Sequence, residues 1–167
     1  IMKISIRNLS ATVLFAVTAL GFTAAAHAQS EQQKLVNAAD VTLSNFMRDP
    51  EMKWLQKNLP RAKGVLISPE IVKAGFIIGG SGGRGVLVAR EGGTGKWVGP
   101  AFYTLATASI GFQAGVAASE MVTLVMTDKG MNSLLSRSFK FGADASVAAG
   151  PVGAGAKSDV VADLIAF

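Results

Sequence analysis

Glycine placement is the strongest constraint on what this chain can become. Of 167 residues 19 are glycine, and much of that glycine lies inside or beside short apolar runs that start after Ala62. The runs are Val65 to Ile67, Phe76 to Ile78, Val86 to Ala89, Trp97 to Val98, Ile110 to Val116 and Met121 to Met126. Short apolar runs bounded by turn residues read as strands, and glycine among them lets backbones approach closely and the sheet bend sharply. Thr127 or Asp128 opens a short helix through Leu135, and Phe139 to Ala148 and Val152 to Ala156 read as two small-residue strands.

Before Ala62 the period is helical. Ser30 with Gln33 forms a capping box, and Leu35, Val36, Ala39, Leu43, Phe46 and Met47 fall within about 120° on a helical wheel. Asp49 followed by Pro50 starts a second, short helix whose apolar stripe is Met52, Leu55 and Leu59. Helices first and strands afterwards argue against alternating βαβ units. The expected class is α+β, with N-terminal helices packed on a glycine-rich, mostly antiparallel sheet or small barrel.

The first 28 residues read as a secretory signal peptide. Lys3 and Arg7 precede an apolar run from Leu9 to Ala26, and Ala26-His27-Ala28 is a small-x-small cleavage site. The competing reading is a retained membrane anchor, which Thr12, Thr18, Gly21 and Thr23 weaken by diluting the run. The expected location is therefore periplasmic or secreted, peripheral to a membrane, with a domain over residues 29–167.

The inventory of reactive side chains is short. Cysteine is absent and the single histidine, His27, lies in the leader, so Cys nucleophiles, Ser-His-Asp triads and Cys/His zinc sites are excluded. No enzyme activity, metal or cofactor is expected. The formal charge of +5 falls to +3 without Lys3 and Arg7, too mild a bias to indicate nucleic acid. Gly80, Gly82 and Gly85 satisfy G-x-G-x-x-G, yet Val86 to Arg90 continues as strand where a dinucleotide site needs a helix. A glycine-rich hairpin or bulge is the better reading there. Arg90 to Trp97 fails as a phosphate loop for want of the first glycine and the final Ser/Thr. Glu70, Glu120, Asp128 and Asp144 are scattered singly and read as solvated surface.

The informative cluster is basic. Lys53, Lys57, Arg61 and Lys63 fall within eleven residues, with Trp54 among them. Lys53 and Lys57 lie about 40° apart on a helix, roughly opposite the Met52/Leu55/Leu59 stripe. Two readings stand. The cations solubilise a surface, or they crown an edge that meets anionic phosphate, each contributing on the order of 1 kcal/mol at a bilayer. In the second reading Trp54 or the first helix supplies an apolar wedge, and Arg84 and Arg90 are secondary anion contacts beside an exposed glycine loop.

Several blocks in fixed order carry a family resemblance: Arg61 to Ile67, Val72 to Phe76, Gly83 to Arg90, Trp97 to Pro100 and Gly142 to Gly153. In these the chain closely resembles the SYLF domain family from about Leu35 onward. The resemblance implies a lipid-binding module for acidic phospholipids, with actin filaments as a further partner of yeast members. The Lys-Arg-Ala-Lys stretch tied to actin in the family falls on Pro60, Arg61, Ala62 and Lys63, so its first cation is missing and actin is not an expected partner. Similar domains continue for several strands beyond Phe167, so the chain reads as C-terminally truncated with an open sheet edge for self-association. The expected function is an exported module docking on anionic phospholipid through Lys53, Trp54, Lys57, Arg61, Lys63, Arg84 and Arg90. The alternative is an envelope protein-interaction or structural domain indifferent to lipid.

Overall fold

The computed structural model describes residues 30–75, 78–110, 115–136, 138–153 and 160–167. The expected leader lies outside these residues, as do parts of the runs expected at 76–78, 110–116 and 152–156.

Helix α1 spans 30–48. Its buried positions, Leu35, Ala39 and Thr42, follow the i, i+4, i+7 spacing of one helical face. The chain breaks at Asp49, whose carboxylate accepts the Glu51 N–H at 2.8 Å. A 3-10 turn Pro50–Met52 then runs into α2, Lys53–Asn58, and a second 3-10 turn, Leu59–Arg61. The Gln56 side-chain amide donates to the carbonyls of Phe46 and Asp49, tying α2 to the end of α1.

Six strands form one sheet: β1 Gly64–Gly75, β2 Ile78–Arg90, β3 Trp97–Ile110, β4 Gly115–Val125, β5 Val147–Ala149 and β6 Leu164–Ala166. The spatial order is β3-β2-β1-β4-β6-β5, antiparallel except for the β5–β6 pair. It is an open sheet and not the small barrel that was the other expectation. Between β4 and β5 lies α3, Asp128–Leu134, whose N-cap Thr127 accepts the Gly130 N–H at 3.0 Å.

Alternation along the central strands divides the core in two. Val65, Ile67, Val86, Val122 and Leu124 face α1 and α2, packing with Leu35, Ala39, Leu55 and Ala62. Leu66, Leu87 and Val125 face the other way, toward Leu134, Ala145 and Leu164. Full burial of a leucine such as Leu55 stabilises by about 1.5–3 kcal/mol, which holds the short α2 against the sheet.

The glycine-rich stretch Gly79 to Gly85 lies in a hairpin, as expected: β2 runs back antiparallel along β1 from the Gly75–Gly79 pair onward, and it pairs with β3 on its other side. The bulge sits instead in β1, where three residue steps from Ile67 to Glu70 oppose two on β2 and two on β4 between Ser68 and Ile71. Pro69, which has no N–H to donate, is thereby tolerated in an inner strand. Gly83 is needed opposite this bulge, because a Cβ there would overlap the carbonyl oxygen of Glu70. The expectation for Phe139 to Ala148 needs correction. Most of this run is not strand: the Asp144 carboxylate captures the Lys140 N–H at 2.7 Å, and Gly142 adopts a φ of 82° in a turn. Only the single Phe141–Ala145 bridge and β5 remain extended there. Local side-chain bonds to the backbone compete with ladder pairing, and here they win.

Candidate functional site

The helical segment 50–61 builds the site. Its apolar positions turn inward: Leu55 is fully buried, and Met52, Trp54 and Leu59 pack against the same core. Lys53, Lys57 and Arg61 are exposed, and at four-residue spacing they occupy one face of that segment. Asn58, nearly buried, anchors the turn between them: its amide donates to the Trp54 carbonyl at 2.8 Å, and its oxygen accepts from Arg61 Nη1 at 3.4 Å.

The other four candidate residues sit in different surroundings. Lys63 immediately precedes β1, and its Nζ lies 2.9 Å from Asp128 Oδ1 in a pair exposed enough to contribute little to stability. Trp54 is not an exposed edge residue: its ring centroid lies 5.8 Å from that of Phe167, and both side chains pack on the core facing α1. Arg90 is used internally. Its Nε donates to the Ala62 carbonyl at 3.2 Å, its Nη1 to the Gly95 carbonyl at 3.3 Å, and its guanidinium lies 4.4 Å from the centroid of the Trp97 ring. Arg84 is exposed on β2 in register with Glu70 and Thr104. With Gly79 to Gly85 in strand, the stretch is no free loop, which removes the reason for ranking Arg84 and Arg90 as anion contacts.

The carboxylates have separate local partners. Glu120 accepts from the buried Thr42 hydroxyl at 2.7 Å, and Asp128 and Asp144 hold the partners given above. Among the described residues no group of three or more Asp, Glu, His or Cys side chains is arranged to hold a metal. No helix of the described residues is long and apolar enough to cross a membrane.

Sequence reading passed over the most heavily bonded carboxylate, Asp163. It accepts from Thr127 Oγ1 at 2.6 Å, from the Ser146 hydroxyl at 2.7 Å and from the Ser146 N–H at 2.9 Å. These bonds, the Thr127 hydroxyl first, hold its carboxyl well below the usual range, with Lys129 adding a smaller effect. The one available signal was Thr127 itself, a capping residue with a second hydrogen-bonding valence.

A groove of about 580 Å³ also escaped the sequence reading. It runs between Ala101 to Ala106 of β3 and the segment carrying Leu134, Phe139 and Phe141. The two Phe rings meet edge to face at 4.7 Å, and Tyr103 reaches across to donate its hydroxyl to the Leu134 carbonyl at 2.8 Å.

Residues 106–166 match the family model "Ysc84: Las17-binding protein actin regulator". The human "SH3 domain-containing YSC84-like protein 1" is 31% identical over 103 residues, covering 61% of this chain and 30% of that protein. From Saccharomyces cerevisiae, "LAS seventeen-binding protein 3" is 36% identical over 101 residues, 60% of this chain and 22% of that protein. "Protein YSC84" of the same yeast is 35% identical over 101 residues, 60% of this chain and 21% of that protein. The chain thus spans less than a third of these relatives. No solved structure matches. Over residues 106–166 the chain is thus similar to the Ysc84, or SYLF, family, and relatives bearing that family's names match over about a hundred residues.

Proposed function

We propose that this protein is a non-enzymatic, exported module that docks reversibly on anionic phospholipid surfaces through Lys53, Lys57 and Arg61, with Lys63 at the margin. The observation that carries the reading is the shared exposed face of those three cations, opposite a stripe locked into the core. Three cations near an anionic bilayer supply about 3 kcal/mol, which suits weak peripheral attachment. Trp54 takes no part as an anchor, because its ring is committed to Phe167 and the core. Support for export is the pattern of Lys3, Arg7, the apolar run and Ala26-His27-Ala28. Support for the absence of catalysis is the missing Cys and the confinement of His to the leader.

Vesicle flotation tests the reading. Binding should require anionic lipid, fall as salt rises, and be lost in a Lys53→Glu/Lys57→Glu/Arg61→Glu variant that keeps its circular dichroism. Equal partitioning of wild type and variant would sink it.

A second reading, a protein-docking domain, is favoured by the family description, which names Las17 binding and actin regulation. Against actin stands Pro60 in place of the first cation of the Lys-Arg-Ala-Lys stretch. Protein docking predicts that a specific partner is retained at salt concentrations that strip the protein from vesicles.

A further inference from the structure

Strand β3 is one edge of the sheet, and it is 14 residues long. Among the described residues nothing pairs with its outer side, so alternate N–H and C=O groups there lack a ladder partner. Proteins ordinarily guard such an edge with charge, proline or brevity. The opposite edge follows that rule, since β5 has three residues. The β3 edge does not: Trp97 to Ile110 holds no charged side chain, and its one proline, Pro100, sits at a bulge near one end. From Ala101 to Ile110 there is neither charge, glycine nor proline. The segment carrying Phe139 and Phe141 shares the 580 Å³ groove with Ala101 to Ala106, and among the described residues it makes no ladder pairing with β3.

We propose that the outer edge of β3 pairs antiparallel with the same edge of a second copy of this chain, in a register centred on Thr104. A two-fold axis between antiparallel strands is perpendicular to the sheet, so one residue faces its own copy and paired residues share a face. Centring on Thr104 puts Phe102 opposite Ala106 and Tyr103 opposite Leu105. Thr104, Phe102 and Ala106 are all exposed and project from the same face, being in register with Arg84, Val86 and Gly82 of β2. Across the axis the large Phe102 therefore meets the small Ala106, and threonine meets threonine. Tyr103 and Leu105 project from the opposite face, toward Leu66, Leu87 and Leu134, giving an aromatic–aliphatic pair.

This self-complementarity, and the lack of any like charge brought together along the strand, select a second copy over a foreign strand. Lys96, the nearest cation before β3, falls beyond the partner's Ile110 in this register. The surface involves none of Lys53, Lys57 or Arg61, so its test is independent of vesicle binding.

The test uses sedimentation velocity and directed cross-linking. The purified protein should sediment as a dimer at micromolar concentration. Thr104→Lys and Thr104→Glu place like charges face to face and should each weaken the dimer at least roughly tenfold. Mixing the two variants should restore dimers. Because the chain has no cysteine, Thr104→Cys gives a clean probe. Cα atoms paired across strands lie about 4.5–5.5 Å apart, within disulfide range, so oxidation should yield a covalent dimer. Ala106→Cys, opposite Phe102, should not. Circular dichroism checks that each variant is folded, which exposure of Thr104 and Ala106 favours. A monomeric wild type, dimers indifferent to Thr104→Lys, or equal cross-linking of Thr104→Cys and Ala106→Cys would overturn the proposal.

Discussion

Thr127 and Asp163, 36 residues apart, hold each other through a 2.6 Å bond from the Thr127 hydroxyl to the Asp163 carboxylate, while the same Thr127 oxygen caps α3 by accepting the Gly130 N–H. Asp163 in turn binds both the hydroxyl and the N–H of Ser146, just ahead of β5. One carboxylate thus fastens the start of α3 and the entries to β5 and β6.

The first prediction concerns acid. The Asp163 carboxyl is held below its ordinary value of 3.8, so its contribution is complete above that pH. As pH falls below 3.8 the unfolded chain takes up the proton before the folded one, and the contribution is progressively lost. Asp163→Asn should be less stable at neutral pH and flatter in stability across the acid range. Urea titrations at several pH values read both effects, and parallel pH profiles for the two proteins would refute the assignment. Thr127→Ala, removing the cap, should cost about 1 kcal/mol.

Gly82 and Gly83 are neighbours with opposite expectations. A methyl at 83 collides with the Glu70 main chain, which cannot yield without undoing the β1 bulge, so Gly83→Ala should destabilise by more than about 2 kcal/mol. At 82 the nearest atom to an added Cβ is the Leu105 carbonyl oxygen at 3.7 Å, an ordinary contact. Gly82→Ala should be neutral or stabilise by up to about 1 kcal/mol. Thermal melts of the pair settle the matter, and equal losses would remove the bulge from the explanation.

Trp54 separates core from interface. Trp54→Ala should lower stability by about 3 kcal/mol through lost packing on Phe167 and the core. Trp54→Phe, which keeps most of that packing, should leave partitioning to anionic vesicles unchanged. A selective loss of vesicle binding in Trp54→Phe would return the residue to the docking surface.

Tyr103 is the chain's only tyrosine, so its ultraviolet titration is free of overlap. Partial burial raises its pKa above 10.0, and the phenolate should appear only above that value. Its contribution is full below 10.0 and is lost as pH rises through the folded-state pKa. Tyr103→Phe, which removes the bond to Leu134, should cost about 1 kcal/mol and abolish the signal.

Local chemistry made much of this legible from residues alone. Helical spacing gave α1 and its buried Leu35 and Ala39, Asp49-Pro50 marked the break before α2, and Thr127 marked the start of α3. Each depends on neighbours within a turn or two, which a sequence displays directly. The same spacing placed Lys53, Lys57 and Arg61 together. Three features were settled only by partners far along the chain. Val72 to Gly75 and Thr104 to Ala106 have little apolar bulk, yet they extend β1 and β3 because adjacent strands supply their backbone bonds. Gly83 is fixed by the β1 bulge beside it, where a Cβ would overlap the Glu70 carbonyl oxygen. Trp54 turned inward because Phe167 was waiting there, and Arg90 was drawn off by Ala62, Gly95 and Trp97. A sequence orders residues within reach of one another; which backbone passes close enough to exclude a side chain, and which ring fills a gap, depends on packing among segments it does not juxtapose.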